Sequence, residues 1–284
     1  MRNFALFGNP VSQTLSPLMH NAALEAMGIA GRYEAIRVDD LEEAVRSVRD
    51  GRRDGASVTI PFKESVIGLL DTLDGEAEEI GAVNTIVRRD GRLAGFNTDW
   101  KALLLALAEV MDLGGKRFAV LGTGGTARSV LYAVRRGGGK AALFGRTPEK
   151  VLELAGRWGC PGYALADLAA VRADVVVNTT PVGMSPGADE SPLDGRVFRE
   201  CGAGWAVDVI YRPRRTRFLR DAEAAGCRTL GGAEMFVRQG AEQIRLWTGA
   251  EPPVERMREV VLRRLREEES SLPLENGFDP LNIC

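Results

Sequence analysis

The chain has 284 residues, 45% of them hydrophobic and 27% charged, with a formal net charge of −2 at pH 7; these are ordinary proportions for a soluble globular enzyme and unlike those of a disordered chain. Its length exceeds the size at which one hydrophobic core usually stops growing, so two domains are expected. The near-balanced charge gives no footprint for nucleic acid or an anionic membrane, no apolar run approaches the roughly 18 residues of a membrane span, and the first residues enter a strand pattern at once without room for a signal peptide, so a cytoplasmic protein is expected.

In chain order, apolar periodicity predicts a strand over Asn3 to Phe7, a helix from Pro17 to Met27, a strand from Arg32 to Val38, an amphipathic helix from Leu41 to Arg49 and a buried strand from Ala56 to Ile60. A helix is predicted from about Glu64 to Leu73. Strands at Ala82 to Arg88 and Arg92 to Phe96 flank Asp90-Gly91, a pair suited to a tight hairpin turn. An apolar helix from Trp100 to Val110 then leads to Gly114-Gly115-Lys116, which reads as a domain boundary. Strands at 117–121, 141–144, 162–165, 174–178, 205–210 and 228–230 alternate with helices at 126–136 and 149–158, as in a parallel, doubly wound sheet. Two helices, Ala233 to Trp247 and Val254 to Glu269, precede a tail without periodicity. The expected fold class is therefore α/β with two domains.

Strand 117–121 runs directly into Gly122-Thr123-Gly124-Gly125-Thr126-Ala127, followed by a helix. The first glycine allows a tight turn, the second lets backbone approach a pyrophosphate, and Ala127 permits close helix packing, while the helix N-terminus offers N–H groups to an anion. An NAD-selective site would present an acid at the end of the next strand, some twenty residues on. The chain has Gly145-Arg146-Thr147 there, with Lys150 one turn further. A guanidinium, a hydroxyl and an ammonium suit a 2′-phosphate, so NADP is the expected cofactor.

The other half must supply substrate contacts and a proton. Lys63 follows the buried strand after Pro61, and the chain has five lysines against thirty-two arginines. A lysine there either opens the next helix as a solvated side chain or carries a proton, with Asp99, at the start of the helix near Trp100, as the candidate carboxylate partner. Thr14 and Ser16 lie two residues apart in a loop that precedes a helix, which suits a carboxylate ligand. Ser16 equally reads as the N-cap of that helix, with Pro17 at its first position. Thr59, Asn84 and Asp99 are polar residues at strand or ribbon ends, placed to address hydroxyl groups of one ligand. His20, the single histidine, has no acid beside it and reads as a packing or capping residue rather than a catalytic one. Cys160, Cys201, Cys227 and Cys284 are too scattered for a zinc site or a disulfide framework, and no catalytic metal is expected.

With these residues in view the chain resembles the shikimate dehydrogenase family. The resemblance rests on Gly8-Asn-Pro10, Ser16-Pro17, Met19-His-Asn21, Val58-Thr-Ile-Pro-Phe-Lys63, Gly81-Ala-Val-Asn-Thr85, Asn97-Thr-Asp99, Gly122-Thr-Gly-Gly125, Asn178-Thr-Thr-Pro-Val-Gly-Met184, Asp208-Val-Ile-Tyr211 and Phe236-Val-Arg-Gln239, in family order across about residues 3–265. It implies reversible NADPH-dependent reduction of 3-dehydroshikimate to shikimate. It further implies that Lys63 and Asp99 are the catalytic pair, that Thr14, Ser16 and Tyr211 lie near the substrate carboxylate, and that Thr59, Asn84, Asp99 and Gln239 surround the ring hydroxyls. Val209 and Gly232 match positions at the nicotinamide end. The implied organisation is a substrate-binding domain over 1–100, completed by helices within 238–268, a Rossmann-type NADP-binding domain over 101–237, and a tail over 269–284. The expected partner is a small-molecule substrate, with the chain a monomer or homodimer. Thr14 stands where the family usually has serine and bears on the choice between shikimate and quinate; Gly145 stands where it usually has asparagine. A quinate or dual-specificity enzyme, with NAD as an optional cofactor, is the alternative activity, and a dinucleotide-sensing regulatory module the non-enzymatic one.

Overall fold

Phe4-Ala5-Leu6-Phe7 and Val175-Val176-Val177 are unbroken buried runs, the pattern of strands covered on both faces rather than on one. In the computed structural model, which describes residues 1–271, each run lies within a six-stranded sheet. The first sheet contains β1 (Arg2–Gly8), β2 (Gly31–Arg37), β3 (Gly55–Val58), β4 (Thr72–Leu73), β5 (Thr85–Arg89) and β6 (Arg92–Phe96), in the order β2-β1-β3-β5-β6-β4. β1 is parallel to both neighbours, whereas β3, β5 and β6 form an antiparallel ribbon. Helices α1 (Ser16–Ala26), α2 (Leu41–Arg49) and α3 (Gly75–Ile80) connect these strands, and α4 (Asp99–Ala108) leaves the sheet.

The second sheet is built from β7 (Arg117–Leu121), β8 (Lys140–Gly145), β9 (Gly162–Ala164), β10 (Val175–Asn178), β11 (Trp205–Asp208) and β12 (Arg228–Leu230), interleaved with α5 (Gly125–Arg136), α6 (Pro148–Trp158), α7 (Arg196–Cys201) and α8 (Arg217–Ala224). All its pairings are parallel, in the order β9-β8-β7-β10-β11-β12. This is the doubly wound arrangement, and the strand order reverses between β7 and β10, where a crevice opens at the carboxyl ends of the strands.

Helices α9 (Ala233–Thr248) and α10 (Val254–Ser271) return to the first sheet. Phe236, Val237, Ile244 and Trp247 of α9, with Met257, Val261 and Leu265 of α10, share a core with Phe4, Leu6 and Met19. Met235, one residue earlier, packs instead in the core of the second sheet. Leu103 and Leu107 of α4 also join that second core, so α4 and α9 both tie the halves together.

The helix expected from Glu64 to Leu73 is not formed. A 3-10 turn covers Ser65–Leu69, after which β4 pairs in parallel with β6. Asp71 explains the switch: its carboxylate accepts the Leu93 N–H at 2.6 Å and the Arg49 guanidinium at 2.8 Å, drawing the chain onto the sheet edge. Helices α3, α7 and α8 were not expected. The predicted tail from 269 begins within α10, and 272–284, with Cys284, lie outside the described residues. Cys160, Cys201 and Cys227 are free thiols. Among the described residues no helix is long and apolar enough to cross a membrane, and no acidic, histidine or cysteine cluster could hold a metal.

Candidate active site

A cavity of about 410 Å³ opens between the two sheets, and Lys63, Asp99, Asn84, Thr14, Tyr211 and Gln239 all line it. Lys63 arrives there because β3 ends at Val58 and Pro61 stops its ladder. The backbone is held by Val83 N–H, which donates to the Lys63 carbonyl at 2.7 Å. Lys63 Nζ donates to Asp99 Oδ2 at 2.6 Å, with the side chains only 13% and 7% exposed. An ion pair so enclosed is screened far less than a surface one.

Asp99 is the first residue of α4, where free N–H groups and the helix dipole favour a negative charge. Its backbone N–H donates to Asn97 Oδ1 at 3.1 Å. Its second carboxylate oxygen, Oδ1, accepts Asn84 Nδ2 at 2.9 Å. Asn84 also donates to Thr98 Oγ1 at 2.9 Å, while its own Oδ1 accepts the Thr98 N–H at 2.9 Å. Its side chain is therefore committed to fixing the carboxylate.

The first loop corrects one expectation. Ser16 does not cap α1; it is the first helical residue, and Leu15 holds the cap position without a side-chain bond. Thr14 Oγ1 takes over that function by accepting the Ser16 N–H at 3.1 Å, and it donates to Ser16 Oγ at 3.0 Å. Tyr211 Oη lies 3.3 Å from Thr14 Oγ1 and accepts the Leu15 N–H at 3.2 Å. Burial pushes the Tyr211 pKa above its ordinary value, keeping the hydroxyl protonated. Three hydroxyls thus cluster at one end of the cavity. Thr59 lines the cavity from the end of β3, and Gln239 from α9, where its Nε2 donates to the Phe236 carbonyl at 2.8 Å.

The glycine loop lies where β7 meets α5. Gly122 has φ +112°, and a Cβ there would stand 2.7 Å from Thr179 Oγ1, so only glycine makes the turn without strain. Thr123 follows it, half-buried, and Gly124 faces open space before α5 begins at Gly125-Thr126-Ala127. Gly145, Arg146 and Thr147 leave the neighbouring strand β8, with Lys150 in the first turn of α6; Arg146, Thr147 and Lys150 are all exposed. An open turn at a helix N-terminus beside two free cations and a hydroxyl fits a phosphorylated dinucleotide. On the far side of the switch point, Val209 lines the cavity and Gly232 N–H donates to the Ile210 carbonyl at 3.1 Å. Asp208 sits beneath this wall, accepting Thr216 Oγ1 at 2.7 Å, Ile210 N–H at 3.0 Å and Asn178 Nδ2 at 3.2 Å. Burial pushes its carboxyl up to about 6.

Several lining residues had no predicted role. Gln243 is buried; its Oε1 accepts Ser57 Oγ at 2.8 Å and its Nε2 donates to Thr85 Oγ1 at 3.1 Å. Arg212 donates to the Gln13 carbonyl at 2.6 Å and pairs with Glu268 at 2.8 Å. Thr179, Thr180 and Met184 belong to a run that the sequence singled out without assigning it chemistry. His20 is wholly buried, stacked on Tyr33 with ring centroids 4.0 Å apart, and burial lowers its pKa to about 4. It faces the Ser16 carbonyl and Gln243 Oε1, a packing position away from the Lys63–Asp99 pair.

Comparison with known proteins agrees with this arrangement. Residues 6–86 match the family described as the shikimate dehydrogenase substrate binding domain, and residues 232–262 the shikimate 5'-dehydrogenase C-terminal domain. The chain is 44% identical over 265 residues to a shikimate dehydrogenase (NADP(+)) of Moorella thermoacetica, covering 88% of this chain and 89% of the relative. It is 40% identical to the corresponding protein of Pyrococcus abyssi, covering 93% and 99% of the two chains. Among solved structures, shikimate 5-dehydrogenase from Thermus thermophilus in complex with NADP(H) and shikimate superposes with a TM-score of 0.84 at 41% identity, covering 93% of this chain and all of that one.

Proposed function

The chain belongs to the shikimate dehydrogenase family, and from that premise we propose that it catalyses the reversible NADPH-dependent reduction of 3-dehydroshikimate to shikimate, with Lys63 and Asp99 as its catalytic pair. The observation that carries the residue assignment is the Lys63–Asp99 contact of 2.6 Å, in a cavity whose other wall begins at the glycine loop. NADPH, when bound, supplies the hydride. Gly122 to Ala127 would hold its pyrophosphate and Arg146, Thr147 and Lys150 its 2′-phosphate, with Gly145 leaving the strand beside them. Val209 and Gly232 would border the nicotinamide.

Reduction places negative charge on the carbonyl oxygen as hydride reaches carbon. Lys63, as an ammonium, stabilises that oxygen and donates the proton that completes the hydroxyl. Asp99 holds the ammonium and, steadied by Asn84, accepts from a ring hydroxyl. In oxidation of shikimate the same proton returns to Lys63. Thr14, Ser16 and Tyr211 offer hydroxyls to the substrate carboxylate, and Thr59 and Gln239 address the remaining ring hydroxyls. The relatives' names favour this reading over quinate or NAD specificity and over a regulatory module. A cytoplasmic place of action is part of the proposal.

The test is absorbance at 340 nm with shikimate or quinate, each paired with NADP+ or NAD+. The largest kcat/KM should belong to shikimate with NADP+; faster turnover of quinate, or preference for NAD+, would refute the assignment.

A further inference from the structure

Hydride and proton must reach adjacent atoms of one substrate, yet the glycine loop belongs to one sheet and the catalytic pair to the other. The first turns of α5 cross that gap. A Cβ on Gly125 would lie 2.9 Å from Lys63 Cβ, so the bare backbone lets the lysine stem rest on the helix. Lys63 Nζ then donates to Thr126 Oγ1 at 3.2 Å. The neighbouring Glu64 pairs with Arg128 at 2.8 Å. One turn on, Ser129 Oγ accepts Asn97 Nδ2 at 3.0 Å, and Asn97 Oδ1 is the acceptor for the Asp99 N–H. Both members of the catalytic pair are thus tied to the dinucleotide helix, Lys63 directly and Asp99 through Asn97.

An ammonium carries three N–H groups in tetrahedral array. Held by Asp99 alone, the last methylenes of Lys63 could pivot about that contact and redirect the remaining protons. A second acceptor at Thr126 removes this freedom and sets the direction of the third N–H. Thr126 also lies in the first turn of α5, whose N–H groups have no partner within the helix. Its backbone therefore belongs to the anion-binding end while its hydroxyl addresses the lysine.

We propose that Thr126 is a positioning residue: its hydroxyl aims the third N–H of Lys63 into the cavity and couples the register of the proton donor to the helix that holds the cofactor. The inference rests on the roles given above to Lys63 and Asp99. Its test compares the wild-type chain with Thr126→Val, Thr126→Ala and Thr126→Ser, measuring the single-turnover rate with shikimate and NADP+, KM for shikimate, and NADP+ affinity by fluorescence titration. Valine keeps the shape without the hydroxyl, and alanine guards against poor packing of the valine. Both should slow the single turnover by about tenfold, the scale of one lost bond to a charged group, with KM and NADP+ affinity within about twofold; serine should recover most of the rate. Undiminished rates in the valine and alanine variants, a serine variant as slow as the valine, or losses confined to NADP+ affinity would each overturn the proposal. Failure of the parent reading is separate: it would be seen as a Lys63→Ala variant turning over as fast as wild type, whatever Thr126 does.

Discussion

Asn84 donates its side-chain amide to Asp99 Oδ1 at 2.9 Å while Lys63 occupies Oδ2. The carboxylate is gripped on both oxygens by residues from two different segments of the first sheet. Removing the amide leaves a buried acceptor without its donor, which costs about 1–3 kcal/mol. Asn84→Ala should therefore lower both the thermal midpoint and kcat. A variant that keeps wild-type kcat would show that Asp99 needs no such grip.

Lys63→Ala removes the group proposed to protonate the carbonyl oxygen, and general acid–base groups typically contribute about 10²–10⁴-fold. The variant should lose at least about 10²-fold in kcat with a modest change in KM for shikimate, since the lost interaction is strongest in the transition state. Steady-state rates at 340 nm decide this, and unchanged turnover would remove Lys63 from the mechanism.

Arg146 is exposed beside the glycine loop and free to meet a 2′-phosphate. Its loss should cost one charge-assisted contact, roughly 10- to 100-fold in affinity. Arg146→Ala is expected to raise KM for NADP+ by that factor while leaving KM for NAD+ nearly unchanged. Equal losses for both cofactors would contradict the assignment.

Asp208 and His20 bend the pH dependence of stability in opposite senses. The folded Asp208 carboxyl titrates at about 6 against 3.8 in the open chain, so its contribution is complete below 3.8 and is lost as pH rises through about 6. The folded His20 titrates at about 4 against 6.5, so its contribution is present above 6.5 and is lost as pH falls through about 4. Asp208→Asn removes only the first. Between about pH 4 and 6 the variant's stability should climb more steeply than that of wild type, the gap reaching roughly 3 kcal/mol. Urea denaturation across that range measures it, and parallel curves would contradict an ionisable Asp208 in this window.

The alternation of strands and helices was legible because buried parallel strands declare themselves as apolar runs, and the glycine loop because its chemistry is local to six residues. Lys63 and Asp99 stand out for the same reason, each lying where a regular element begins or ends. What escaped was set by distant partners. Residues 64–73 have helical spacing, but the Asp71 carboxylate, bonded to Leu93 and Arg49, and the Asp71 and Asp74 N–H groups, donating to the Leu93 and Gly95 carbonyls, turn them onto a sheet edge. Helix α7 has six residues, too few for a periodic signal. Helix α8 does carry a start signal, since Thr216 accepts the Leu219 N–H as its N-cap, but with eight residues its apolar pattern is short. Gln243 is a site residue only because α9 brings it against Ser57, 186 positions earlier in the chain.

The two helices that cover the first sheet also govern the order in which the protein can be assembled. Phe4, Leu6 and Met19 are translated long before Ile244, Trp247, Met257 and Leu265, which complete their core. Among the described residues the second sheet draws on no comparable late partner beyond Met235. On the ribosome the dinucleotide half can therefore consolidate while the amino-terminal strands still wait with apolar surface uncovered, and contacts of such long sequence separation form slowly. The half synthesised earlier is the last to be finished.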